Sequence, residues 1–93
     1  MFGSKEFIDL CKKSLAEYMN THVDKTDNIT VTEDDVYVVW YNKSLQNHKG
    51  LFSTIYPDGM YYEMTYNGDT HEMYLDAYKK WDNRVIEVKV DDE

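Results

Sequence analysis

Two turn signals bracket one alternating run, and together they restrict this part of the chain to locally paired antiparallel strands. The run is MYYEMTY (60–66), preceded by Pro57-Asp58-Gly59 and followed by Asn67-Gly68-Asp69. In the first turn Pro presets its dihedral, Asp bonds back to the backbone, and Gly accepts a positive φ. Asn-Gly is among the strongest short hairpin signals. Side chains of a strand alternate between faces, so Met60, Tyr62, Met64 and Tyr66 share one side and Tyr61, Glu63 and Thr65 the other. The first set suits the inside of a sheet; the second suits solvent.

The flanking segments continue the pattern. LFSTIY (51–56) reads as the preceding strand. In VYVVWY (36–41), Val36, Val38 and Trp40 alternate against Tyr37, Val39 and Tyr41, and both sets are apolar. That suggests an interior strand, or one with a helix on one face and partial cover on the other. NKSLQNHKG (42–50) reads as a loop. HEMYLDAYKKW (71–81) fits a strand with Met73, Leu75, Ala77 and Trp81 on one side, or a helix with Leu75, Tyr78 and Trp81 on one face. The Asn-Gly turn needs a pairing partner, which favours the strand. Asp82-Asn83 then turns into RVIEVKV (84–90), an alternating strand, and the DDE end reads as frayed. Tyr61, Tyr74 and Tyr78 fall outside the inner faces. Neighbouring strands would gather them into an exposed aromatic patch, a composition favoured at interfaces.

Ahead of the strands lies an amphipathic helix from Ser4 to about Val23. Phe7, Ile8, Cys11, Leu15, Tyr18, Met19 and His22 recur at spacings of three and four, with Glu6, Asp9, Lys13, Glu17 and Asn20 opposite and Leu10 off the stripe. Ser4 is the expected N-cap, with Glu6 in the first turn. DKTDNITVTEDD (24–35) is a polar connection with a short extended piece at Ile29–Val31. The expected fold is a single α+β domain over 1–93: one N-terminal amphipathic helix packed on a four- to five-stranded antiparallel meander sheet. A chain of this size buries roughly 60–70% of its unfolded surface, and fourteen aromatics, nine of them Tyr, argue for a folded unit.

Charge and hydropathy exclude several classes. Eighteen acidic residues against ten basic give a net charge of −8, which opposes direct binding to nucleic acid, since that needs a basic face. It permits docking on a basic partner. A mean hydropathy of −0.72 leaves no room for a membrane span. MFGSKEFIDL has no basic region followed by an apolar stretch, so no secretory signal is expected, and a lone Cys11 fits a reducing cytoplasm. HEMYL (71–75) begins like a zinc-protease motif but has Leu75 where the second histidine is needed. His22, His48 and His71 lie on separate segments, so no metal site is expected. No glycine-rich loop joins a strand to a helix, so no phosphate cradle and no cofactor are expected. Carboxylates are plentiful, including Glu63 across from Glu72 or Asp76, but acid–base catalysis needs two in unlike environments within a cleft. The expectation is a protein that is not an enzyme.

The stretch from Asp35 to about Val88 resembles a family of small proteins of unknown function from phages and prophages of Firmicutes. The likeness is carried by VYVVWYNKSLQNHKG, PDGMYYEMTYNGD and YLDAYKKWDN, together with the amphipathic helix. It implies a phage or prophage source and the cytoplasm of a low-GC Gram-positive host, with no catalytic residue to carry over. In that setting the leading expectation is a protein that binds a host protein with a basic surface and, in its fuller form, inhibits it. A CRISPR or restriction nuclease whose nucleic-acid channel is blocked, in the anti-CRISPR manner, is the example by analogy. The candidate partner-binding residues are Asp24, Asp27, Glu33, Asp34, Asp35, Tyr61, Glu63, Asp69, Glu72, Tyr74 and Asp76. Two other classes stay open. One is a nucleotide binder or sponge using Tyr61, Tyr74, Tyr78 or Trp81 with Arg84 or Lys80. The other is a phage accessory protein that self-associates through a sheet edge, and a homodimer is open in either case.

Overall fold

The computed structural model of the chain describes residues 2–22 and 30–90. Helix α1 (Ser4–His22) lies on one face of a four-stranded antiparallel sheet. The strands are β1 (Val36–Ser44), β2 (Asn47–Thr54), β3 (Met60–Asn67) and β4 (Glu72–Lys79), in that spatial order. This is the expected α+β meander, with four strands.

The helix forms where its stripe predicts, but its cap is one residue earlier. Phe7 donates its backbone N–H to the carbonyl of Gly3 at 2.9 Å, so Gly3 is the N-cap. The Glu6 carboxylate reaches back to the Gly3 N–H at 2.8 Å, half of a capping box, and this bond holds its pKa below the usual carboxylate value. Phe7, Cys11, Leu15, Ala16 and Met19 are buried against Val31, Val36, Phe52, Tyr62 and Met64. Asn20, expected on the solvent side, instead ties α1 to the chain before β1. Its amide donates to the Val31 carbonyl at 2.9 Å and accepts from the Val31 N–H at 2.7 Å.

β3 alternates as its sequence dictates: Tyr62 and Met64 are buried under α1, with Met60 and Tyr66 partly so. Residues 72–79 are strand, not helix, and Asn67 pairs with Glu72 through to Met60 with Lys79. Gly59 takes φ 71° in the Pro-Asp-Gly turn, which favours glycine. The second turn is longer than a two-residue hairpin. Its loop spans 68–71, closed by Asn67 Oδ1 accepting from the Asp69 N–H and by the His71 N–H donating to the Asn67 carbonyl, both at 2.9 Å. Gly68 is there for space: a Cβ would sit 2.3 Å from the backbone oxygen of Gln46 in the neighbouring hairpin.

Three expectations are corrected. Residues 42–50 are not a loop: β1 runs to Ser44 and β2 starts at Asn47 across a tight turn in which Leu45 takes φ 56°. The polar look of the segment misleads because His48 is an interior residue, 2% exposed. Its ring stacks on Phe7 (centroids 5.1 Å), packs edge-on against Phe2, and lies 2.6 Å from the Tyr41 hydroxyl. Second, β1 is an edge strand, not an interior one, and a bulge between Val38 and Trp40 reverses its alternation. Tyr41 turns in to His48, and Trp40 turns out. Third, 84–90 is not a fifth strand; among the described residues Val85, Ile86, Val88 and Val90 pair with no strand, and they stand in solvent. Strands lie about 4.8 Å apart and a helix is about 10 Å across. One helix therefore cannot cover a fifth strand; on β4 itself only Met73 and Leu75 are partly covered.

Candidate functional site, the open face of the sheet

The sheet face opposite α1 has no layer over it among the described residues. Strand pairing sets its content row by row. Trp40 pairs with Leu51, Leu51 with Glu63, and Glu63 with Asp76. In adjacent rows Tyr61 pairs with Tyr78, Lys49 with Thr65, and Thr65 with Tyr74, while Tyr37 pairs with Ser53 at the β1 side. The result is a band of aromatic rings with carboxylates at its centre. Tyr37, Trp40, Tyr74 and Tyr78 are between 42% and 53% exposed, so each presents about half of its surface to solvent.

Glu63 opposite Asp76 is electrostatically unfavourable, since like charges directly across a pair of strands destabilise it. Lys49 Nζ lies 3.7 Å from Glu63 Oε2 and offsets part of the repulsion. Asp76 has no ion-pair partner among the described residues and is exposed. Tyr74 donates its hydroxyl to Glu72 Oε1 at 3.2 Å, and the neighbouring carboxylate raises the tyrosine pKa. The face can thus offer carboxylates to a cation and flat rings to an apolar or guanidinium surface.

The candidate residues fall into separate groups. Tyr61, Glu63, Tyr74 and Asp76 come together on the open face, with Glu72 at its end. Asp69 lies in the β3–β4 loop, where its carboxylate accepts from the Gln46 side-chain amide. Glu33, Asp34 and Asp35 form a short 3-10 turn before β1, at the opposite end of the sheet from Asp69 and Glu72. Glu33 and Asp34 are exposed. Asp35 is committed locally: Oδ2 accepts from the Thr32 N–H at 2.9 Å and from the Tyr56 hydroxyl at 3.1 Å. The Thr32 backbone bond is the main reason its pKa is held below the carboxylate norm. Asp24 and Asp27 lie outside the described residues. Sequence reasoning missed Tyr37 and Trp40. Strict alternation puts Trp40 on the covered side, and only the bulge brings it out; the sequence carries no residue that marks the bulge.

The opposite face carries a different feature. A shallow cleft of about 480 Å³ at the hairpin end is lined by Phe2, Lys43, His48, Tyr66 and His71, among others. Burial lowers the His48 pKa, Lys43 adds to the effect, and a bond with the Phe2 backbone opposes it; Nδ1 of the ring lies 2.6 Å from the Tyr41 hydroxyl. Tyr66 and His71 Nδ1 are 3.0 Å apart on the rim. Cys11 is fully buried, 3.9 Å from Met73 Sδ, and burial pushes its thiol up to about 12. A thiol held neutral in this way is a packing group. Among the described residues no set of three or more His, Cys, Asp or Glu could hold a metal ion. No described helix is long and apolar enough to cross a membrane.

No curated protein and no solved structure matches the chain. A family model does match, over residues 8–88, from the first turns of α1 through β4 and into the segment beyond it. The chain belongs to this family of unknown function, DUF6275.

Proposed function

We propose that the chain is an interaction protein, not an enzyme, and that its open sheet face docks on a basic surface of a host protein. The observation that carries the reading is the band in which Tyr61, Tyr74, Tyr78 and Trp40 surround Glu63 and Asp76. Half-sheltered aromatic rings are the side chains that anchor protein interfaces, because they bury large area with few torsions to fix. The central carboxylates supply specificity. An arginine or lysine placed between Glu63 and Asp76 would turn their mutual repulsion into a shared ion pair, so the partner gains where the free protein is strained. The net charge of −8 steers such a surface towards a basic groove and speeds encounter.

The setting we infer is a phage or prophage product acting in the cytoplasm of a Gram-positive host, a compartment in keeping with one buried thiol. The target class we favour is a nucleic-acid enzyme of host defence, such as a CRISPR or restriction nuclease. Its basic channel has the charge this face would meet, and occupation of that channel would inhibit it. The support for this is charge complementarity and the phage setting.

Capture from a lysate of such a host tests the proposal. The tagged protein, at about 50 mM and about 500 mM salt, is read by mass spectrometry. A basic nucleic-acid enzyme retained at low salt and released at high salt supports it. Capture of nothing at either salt contradicts it and redirects the search to a thermal-shift screen of nucleotides.

A further inference from the structure

The segment after β4 is built like a strand but has no strand to pair with. In RVIEVKV (84–90), Ile86, Val88 and Val90 alternate with Val85, Glu87 and Lys89. β-branched residues in a period of two are the composition of a half-buried strand. Yet Trp81, Val85, Ile86, Val88 and Val90 are between 77% and 95% exposed. The family match runs through Val88, so most of this segment is part of the shared domain and not an appendage. Among the described residues, the polar ties of 81–90 are local: the Asp82 carboxylate accepts from the Asn83 N–H and the Arg84 guanidinium, each at 2.7 Å.

β4 presents the complementary surface. It pairs with β3 on one side only, leaving its outer row of N–H and C=O groups as a template for another strand. Its open-face Asp76 has no ion-pair partner among the described residues, and the segment carries Lys89 on the side opposite Ile86, Val88 and Val90. The other edge is a poorer match: β1 has no carboxylate between Val36 and Ser44, and it has Lys43 and a bulge.

We infer that residues 84–90 add as an antiparallel strand to the outer edge of β4 in a second copy of this chain, giving a two-fold dimer by exchange of the tail. The register that sets Lys89 opposite Asp76 also sets Val88 opposite Ala77 and Val90 opposite Leu75. It continues the row that β4 turns towards α1. Within one chain that extension lies beyond the cover of the helix. In a two-fold pair the two tails lie side by side, and their Ile86, Val88 and Val90 rows shield each other. The pairing uses the sheet edge and shares only Asp76 with the open face, while Tyr61, Glu63 and Tyr74 stay free for the partner proposed above.

Sedimentation of the full chain from low micromolar to near-millimolar concentration tests this. The expected result is a species of twice the 11.1 kDa chain mass, and a monomer for Val88→Lys with an unchanged circular dichroism spectrum. A wild type that stays monomeric throughout, or a dimer that Val88→Lys leaves intact, overturns the inference. If Val88→Lys loses its fold, differently tagged Ala77→Cys and Val88→Cys chains decide the matter. Mixed and mildly oxidised, they should give a covalent dimer carrying both tags, and its absence overturns the exchange.

Discussion

The two faces of this sheet are made by the same strands from much the same residues, and they end as opposites. On the α1 side, β3 buries Tyr62 and Met64 to 3% and 1% exposure. On the other side its neighbours in sequence, Tyr61 and Glu63, meet Tyr78 and Asp76 with no layer above them among the described residues. Composition does not separate the faces, since tyrosine appears on both. What separates them is one helix. It turns one parity of each strand into core and leaves the other parity as an aromatic and acidic surface. Within β3 a tyrosine is therefore a packing residue at an even position and an open-face residue at an odd one.

Substitutions on the two faces should differ in size and in kind. The largest effect belongs to the covered face: Phe52→Ala removes a fully buried ring and should lower unfolding free energy by about 3–5 kcal/mol in urea titration. Tyr78→Ala, on the open face, should lower it by less than about 1 kcal/mol. Equal losses would mean that something covers the open face. Next comes the contact between the two hairpin turns. Gly68→Ala drives a Cβ into the Gln46 carbonyl and should cost about 1–3 kcal/mol by the same assay. An unchanged midpoint would mean the turns are not locked together.

A pH titration probes the covered face by another route. The His48 pKa is lowered in the fold, so the folded state binds fewer protons than the unfolded chain, whose histidine titrates near 6.5. Stability should be fully present above that pH and fall as the pH drops through it towards the lower folded value. His48→Gln should flatten that part of the curve; an equally steep loss in the variant would remove His48 as its cause. The smallest effect is the most diagnostic of the open face. Asp76→Lys replaces a repulsion with Glu63 by an attraction and should raise stability by about 0.2–1 kcal/mol. The same change should abolish partner capture. Stability and binding moving together would break the account of that pair.

What the sequence reveals follows from how local each determinant is. The α1 stripe, the inner face of β3 and the turn at Gly59 depend on periodicity or on a single backbone requirement, and all three are legible. The Tyr61, Tyr74 and Tyr78 patch is legible too, because it needs only alternation and a hairpin. The β1–β2 hairpin is hidden because its interior residue is polar, and His48 becomes a core residue only when Phe2, Phe7 and Tyr41 gather around it. The emergence of Trp40 depends on a bulge, which one extra residue creates without a distinguishing side chain. RVIEVKV misleads in the other direction. Its strand pattern is real, but whether it finds an edge depends on cover that one helix does not reach.

The experiment to place first compares the wild type with a Tyr74→Ala, Asp76→Lys variant in parallel captures from host lysate at about 50 mM salt. Matched circular dichroism spectra must first establish that both are folded. If the open face is the docking surface, a basic protein is retained by the wild type and absent from the variant. If both chains retain the same protein equally, the open face is not where the partner binds.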